Sequence, residues 1–273
     1  MSKILTKKII SEITSIACLA GDAIMDVYNS DFDFEVKDDK SPLTKADLAS
    51  HTVIINALSK LTPHIPILSE ESVSIPFRTR RKWDQYWLVD PLDGTKEFIK
   101  RNGEFTVNIA LIRNNTPVFG VIYIPVSNEL YWGSEKGAYY KKLNGSTTEL
   151  FTRAESSEPM IILASKSHQS ETLDSILDNI ENYKLINRGS SLKFCMIAEG
   201  SADIYLRLGL TSEWDTAAGE AIVHYAGGKV VATSGLAIKY NYEENILNPN
   251  FIASGNKNTS DLFLSLINKK KYA

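Results

Sequence analysis

Trp87-Leu88-Val89-Asp90-Pro91-Leu92-Asp93-Gly94-Thr95 is the stretch on which the fold and the chemistry both turn. An apolar run of strand type ends on two carboxylates, and a glycine and a hydroxyl follow at once. Carboxylates held there offer hard oxygen ligands to a divalent cation, and the N–H groups of a turn that opens a helix suit a phosphate. Pro91 removes a backbone donor, so the sheet ladder is expected to end there and the chain to turn, bringing Asp90, Asp93 and the Leu92 carbonyl toward one point. Gly94 tolerates close backbone approach, and Thr95 can start a short helix over 96–100. A bare Asp-Gly-Thr is more often an ordinary turn capped by its Asp. Here Ser69-Glu70-Glu71 and Glu213-Trp214-Asp215 also end apolar runs, which favours a phosphate ester held by magnesium ions. Glu70 and Glu71 repel each other side by side, and a bound cation removes that cost.

Upstream, Ile9, Ile13, Ile16, Ala17, Ala20, Ile24 and Val27 recur at helical spacing over 4–28. The charged segment 31–40 reads as a loop or exposed hairpin. A helix is expected over 45–61, with Thr44 as N-cap and Pro63 as its stop. Short strands at 65–68 and 86–89 deliver Glu70 and Asp90 to their ends. Downstream the period changes to two: strands 106–112 and 117–124 flank Asn114-Asn115, a hairpin signal, and 130–132 and 138–140 extend the meander. From residue 160 the pattern alternates, with strands at 160–163, 183–186, 203–206, 229–232 and 251–253. Helices are expected at 168–179, 190–199, 215–226 and from 258, the third ended by Gly227-Gly228. The first half therefore reads as α+β and the second as α/β, giving subdomains 1–147 and 148–273.

A chain of 273 residues with 43% hydrophobic and 23% charged residues has the composition of an ordinary soluble globular protein. Its formal net charge of −3 gives no electrostatic case for a nucleic-acid partner. Two cysteines, Cys18 and Cys195, suit a reducing compartment, and the four histidines lack metal-ligand spacing, so oxygen ligands are expected rather than a zinc site. The first ten residues are too broken by charge for a signal-peptide core, and no apolar run approaches a membrane span. The expectation is a cytoplasmic protein, free or peripheral at the inner membrane, monomeric or homodimeric.

Thr44-Lys45-Ala46-Asp47 is a helix start. Arg188-Gly189-Ser190-Ser191-Leu192-Lys193 opens another helix with free N–H groups, two hydroxyls and two cations, either a plain surface start or a second anion site. Asp215 stands where a helix cap would, and the small Ala217-Ala218-Gly219 run lets its helix pack closely enough to aim Asp215 into a site; one residue can do both. An EF-hand would need an acid where Val89 stands, no Gly-x-x-x-x-Gly-Lys loop occurs, and Asp-x-x-Asp is not the Asp-x-Asp of haloacid-dehalogenase phosphatases.

Ser69-Glu70-Glu71, Asp90 to Thr95, and Trp214-Asp215 with Ala226-Gly227-Gly228 resemble, in order along nearly the whole chain, the inositol monophosphatase superfamily of lithium-sensitive, magnesium-dependent phosphatases. Within it, Ser41-Pro42-Leu43-Thr44-Lys45-Ala46-Asp47, Gly189 to Cys195 and Glu213 to Gly219 are most similar to the 3′(2′),5′-bisphosphate nucleotidases of the CysQ type. The resemblance implies a five-layer αβαβα sandwich, an α+β fold, with two or three Mg²⁺ ions. It also implies hydrolysis of 3′-phosphoadenosine 5′-phosphate to AMP and phosphate, as part of sulfur metabolism. The sulfated analogue 3′-phosphoadenylylsulfate is a further candidate substrate.

Carried over position by position, the resemblance assigns the metal ions to Glu70, Asp90, the Leu92 carbonyl, Asp93 and Asp215. Glu70 and Thr95 would activate the water, with Asp47 supporting Thr95, and the Gly94 and Thr95 amides would hold the phosphate. Asp93 and Asp215 would also border the substrate. In inositol phosphatases a Glu stands at the position of Arg207 and accepts a sugar hydroxyl. Arg207 cannot accept a hydrogen bond but suits a phosphate, so Arg207, Lys193 and Ser191 are expected to bind the nucleotide's other phosphate. Ser165 and His168 stand either at the border of the nucleoside or, as a lone His at a helix start more often does, on plain surface. The alternatives are an inositol monophosphatase or broad sugar phosphatase of the same fold, and a non-catalytic nucleotide-binding regulator.

Overall fold

In the computed structural model, which describes residues 5–31, 33–36, 42–72, 75–165 and 171–269, the chain enters through α1 (Lys7–Tyr28). Thr6 caps it, accepting from Ile9 N at 3.2 Å, and Ile13, Ile16, Ala17, Ala20 and Ile24 form its buried stripe. A hairpin of β1 (Phe34–Val36) and β2 (Pro42–Thr44) leads into α2 (Lys45–Leu61). After β3 (Ile67–Ser69) comes a one-turn helix, α3 (Phe77–Arg80), that the sequence pattern does not reveal. Then follow β4 (Gln85–Asp93), α4 (Thr95–Ile99) and the meander β5 (Thr106–Arg113), β6 (Thr116–Ile124), β7 (Glu129–Ser134), β8 (Gly137–Lys142) and β9 (Thr147–Leu150). Asn114 and Asn115 both take positive φ, 49° and 63°, and so make the two-residue turn expected of them.

The second half runs β10 (Met160–Ser165), α5 (Glu171–Leu177), β11 (Tyr183–Arg188), α6 (Leu192–Ala198), β12 (Ile204–Arg207), α7 (Glu213–Tyr225), β13 (Lys229–Ala232), β14 (Phe251–Ser254) and α8 (Lys257–Lys269). Strands β3 to β9 form a seven-stranded sheet in sequence order, antiparallel except for the β3–β4 pair. The other sheet has the order β11-β10-β12-β14-β13 and is mixed. One core joins α1 and α2 to the outer face of the first sheet through Ile24, Ile54, Trp87, Val107 and Phe119. A second lies between the sheets and contains α6 and α7, with Phe194, Ala218, Ile222 and Phe251. A third seats α5 and α8 on the far side through Leu173, Ile176, Phe263 and Ile267. The layering is the αβαβα sandwich expected. Among the described residues no helix is long and apolar enough to cross a membrane. Ser41 and the segment 166–170, with His168, lie outside the described residues.

Because both faces of the first sheet are covered, β4 reads as an unbroken apolar run. Tyr86 and Leu88 enter the core between the sheets, and Trp87 and Val89 the core beneath α2. The structure corrects one expectation here. The ladder does not end at Pro91: Asp90 pairs with Asn108, and Asp93 pairs with Thr106. Two residues of β4, Pro91 and Leu92, thus oppose the single Val107, which is a β-bulge. Side chains three apart normally point to opposite faces of a strand. The extra residue cancels that, so Asp90 and Asp93 share the inner face while Leu92 drops into the outer core. Proline's missing donor is harmless where the ladder is already interrupted.

Helix α7 is let down onto the same face by a glycine pair. Gly120 and Gly133 are cross-strand partners. A Cβ on Gly120 would stand 2.3 Å from the Ala218 carbonyl oxygen, and one on Gly133 would stand 2.8 Å from the Ile222 Cα. Ala218 and Ile222 are one helical turn apart, so the two glycines form a notch along the helix axis. Asp215 sits at the end of α7 that this seating brings toward β4.

Candidate active site

Register places the first acid. Ser69 is level with Val89 in the parallel β3–β4 pair, and Glu70 N donates to Val89 O at 3.1 Å, so Glu70 leaves the sheet beside Asp90. Asp90 is 1% exposed, and its Oδ1 accepts from Leu92 N at 3.1 Å, inside the bulge. Asp215 accepts from Ser212 N at 3.0 Å, capping its own helix while facing the cleft. Carboxylate oxygens of Asp90, Asp93 and Asp215 all lie within 4.8 Å of one another. Glu70, the bulge residue Leu92, Gly94 and Thr95 line the same cleft.

Burial, and then Glu70, Asp93, Asp215 and Asp47 in turn, push the Asp90 carboxyl well above the usual carboxylate range. Asp215 is raised by burial and by Asp93 and Glu70, against the pull of the Ser212 N–H and Arg207. The cluster is therefore short of positive charge. Its donors are all oxygen, the set preferred by a hard divalent cation such as Mg²⁺. The residues present fit such ions.

Thr95 Oγ1 lies 3.3 Å from Asp47 Oδ1 and 3.4 Å from the Leu92 carbonyl. Asp47 is itself fixed, because its Oδ2 accepts from Thr44 N at 2.7 Å and from Thr44 Oγ1 at 2.6 Å, closing the α2 capping box. Gly94 takes φ +92°, and a Cβ there would meet the Glu104 carbonyl at 2.9 Å, so only glycine suits this junction of β4 and α4.

A second cleft adjoins the first and shares Asp93 and Asp215 with it; Ser190, Lys193, Tyr205 and Arg207 are among its walls. Lys193 is 3% exposed and donates to the Arg188 and Ser190 carbonyls at 2.9 and 2.7 Å, with its nitrogen 5.1 Å from the centre of the Tyr205 ring. Burial lowers its pKa to about 8. Arg207 donates to the Leu210 carbonyl at 2.5 Å and to the Thr211 hydroxyl.

The α6 start differs from its sequence reading. Two of its N–H groups are already engaged: Ser191 N donates to Asp93 Oδ2 at 2.6 Å, and Gly189 N to Glu104 Oε2 at 2.8 Å. The Ser191 side chain is turned inward onto Asn108 Oδ1 at 2.8 Å, and it is Ser190 that lines the cleft. Sequence reading gave Ser190 only as one of two hydroxyls at the helix start and passed over Thr106 and Asn108; these three join Ser191 and Asp93 in one hydrogen-bonded group. A signal was present in Asn108, a lone amide inside the apolar strand Val107-Asn108-Ile109-Ala110-Leu111.

Fold and cleft together define a five-layer α+β sandwich whose acids gather at the bulge of β4 beneath a helix terminus. The inositol monophosphatase family model matches residues 6–272. The chain belongs to that family. It is 46% identical over 244 residues, 89% of this chain and 98% of the relative, to a protein of Salmonella typhimurium described as 3′(2′),5′-bisphosphate nucleotidase CysQ. To the protein of that description in Escherichia coli strain K12 it is 45% identical over 247 residues, covering 90% and 99%. The crystal structure of CysQ from Bacteroides thetaiotaomicron, a bacterial member of the family, matches with a TM-score of 0.79 at 41% identity, over 90% of this chain and 96% of that one.

Proposed function

We propose that this chain is a magnesium-dependent phosphatase that removes the 3′-phosphate of 3′-phosphoadenosine 5′-phosphate, giving AMP and phosphate, with the sulfated 3′-phosphoadenylylsulfate as a second substrate. The observation that carries the reading is the pair of clefts sharing Asp93 and Asp215: one demands cations, and the other is walled by Lys193 and Arg207. A substrate with two phosphates satisfies both. The activity named for the relatives supports the same reading.

Glu70, Asp90, the Leu92 carbonyl, Asp93 and Asp215 would hold two or three Mg²⁺ ions. When bound there, such ions supply charge neutralisation and acidify water. Thr95 donates its hydroxyl proton to Asp47, which leaves the Thr95 oxygen free to accept from a water. Glu70 accepts from the same water on its other side and takes the proton as attack proceeds. The Gly94 and Thr95 amides hold the phosphate, and displacement is in line, with no phospho-enzyme. Arg207 keeps N–H groups beyond those on Leu210 and Thr211 for the 5′-phosphate, Lys193 adds positive charge behind it, and Ser191 acts by fixing the loop that carries Ser190. Residues 1–147 form the subdomain with most of the acids, and 148–273 the one bringing Asp215 and the two cations.

The test is phosphate release from 3′-phosphoadenosine 5′-phosphate and from inositol 1-phosphate in parallel, in Mg²⁺, with and without Li⁺. Strong preference for the nucleotide, suppressed by Li⁺, is expected. Preference for the inositol ester would overturn the substrate assignment, and tight nucleotide binding without turnover would overturn the catalytic one.

A further inference from the structure

We infer that Lys96 is a specificity-determining residue whose ammonium group grips the second phosphate of a nucleoside bisphosphate, an inference that rests on the bisphosphate reading above. Four residues border both clefts: Asp93, Lys96, Glu97 and Asp215. Lys96 is the one cation among them. It follows Thr95 directly, in the first turn of α4, and so stands on the rim between the reacting phosphate and whatever the second cleft holds.

The three cations of the second cleft are not equally free to act. Lys193 is nearly sealed off, with two of its three donors on main-chain carbonyls. Arg207 has its Nε and one terminal nitrogen turned back on its own loop. Lys96 is exposed, and among the described residues its side chain has no hydrogen-bond or ion-pair partner. The first two are held in place and act as fixed positive charge. Lys96 has a long, mobile stem and three unused donors, which suits it to close on a ligand rather than to brace the fold.

Charge points the same way. Asp93 and Asp215 belong to the cation-demanding cluster, so once ions are bound their charge is spent there. What remains over the second cleft is Lys96, Lys193 and Arg207 against Glu97, whose own carboxyl burial pushes up toward the neutral form. That surplus favours an anionic group beside the scissile phosphate, and the 5′-phosphate of the same nucleoside supplies one.

Lys96→Gln and Lys96→Arg, compared with the unaltered protein in saturating Mg²⁺, test this on adenosine 3′,5′-bisphosphate and on adenosine 3′-monophosphate, which has the same scissile bond and no 5′-phosphate. The ratio of kcat/KM for bisphosphate to that for monophosphate is expected to fall about tenfold or more in Lys96→Gln, through KM rather than kcat, and to be largely kept in Lys96→Arg. Melting temperatures should not change, since no packed atom is removed. An unchanged ratio in Lys96→Gln, or an equal loss on both substrates, would overturn the role of Lys96 and leave the bisphosphate reading standing. An unaltered protein with no preference for the bisphosphate would overturn both.

Discussion

Ser191 donates its main-chain N–H to Asp93 Oδ2 across 2.6 Å, which ties the start of α6 to the end of β4. Ser190 Oγ at 2.8 Å and Asn108 Nδ2 at 3.3 Å converge on the same oxygen. Asp93 thus divides its work: Oδ2 joins two layers of the sandwich, and Oδ1 is left for the acidic cluster.

For Asp93→Asn, turnover in Mg²⁺ should fall by roughly 10²-fold or more, because a ligand charge is lost where the reaction needs it. Without metal the variant should melt at the same temperature or higher, since one charge leaves a group that repels itself. The rise in melting temperature on adding Mg²⁺ should shrink. Full activity at saturating Mg²⁺ would refute the assignment of Asp93 as a ligand.

Gly120→Ala tests the seating of α7. The new methyl would sit 2.3 Å from the Ala218 carbonyl, and backbone cannot step aside as a flexible side chain could. A loss of about 1–3 kcal/mol in chemical denaturation is expected, together with weaker Mg²⁺ binding as Asp215 is lifted from Asp90. Unaltered stability and Mg²⁺ affinity would show that the notch does not set the height of Asp215.

Glu220 gives the fold a pH dependence separate from the cleft. Tyr240 donates to its Oε2 at 2.6 Å, and burial raises its pKa from 4.5 to about 8. A carboxyl raised on folding stabilises the native state fully below about pH 4.5 and loses that contribution as the pH climbs to about 8. Glu220→Gln should therefore match the parent near pH 5 and exceed it at pH 8.5, by up to a few kcal/mol at about 1.4 kcal/mol per pKa unit. Denaturant midpoints of both proteins at the two pH values decide it; a constant difference would exclude titration of Glu220.

Arg207→Glu should cut kcat/KM for adenosine 3′,5′-bisphosphate about tenfold more than for a simple monophosphate, since it puts a negative charge where a phosphate is read. Parallel assays on the two substrates measure this, and equal losses would remove Arg207 from substrate choice.

Much of the sandwich could be read from the residues because the covered sheet and amphipathic helices impose their periods directly. Thr44 as a cap, the Asn114-Asn115 turn and the closing Gly227 are local signals, and the structure has each where expected. The α3 turn, Phe77-Arg78-Thr79-Arg80, escaped notice because a single turn has no period, and its Arg80 is held by Asn241, distant in the chain. Within the cleft, the acids announce themselves by type and position. The inward turn of Ser191 and the N–H groups spent on Asp93 and Glu104 do not, because each depends on a residue more than eighty positions away. Pro91 misled for a related reason: its missing donor predicts a break, while the resumption at Asp93 and Thr106 depends on the partner strand.

The bulge at Pro91-Leu92 makes the cleft depend on a count of residues as much as on their kinds. Adding one residue to β5 beside Val107, so that Pro91 and Leu92 each gain a partner, would leave every acid in the chain intact and restore strict alternation to β4. Asp93, three places from Asp90 in a regular ladder, would then be directed into the core beneath α2, where a charge has no solvent and no partner. In this pair of strands a lengthening of β5 by one residue should be more damaging than the exchange of either acid for its amide.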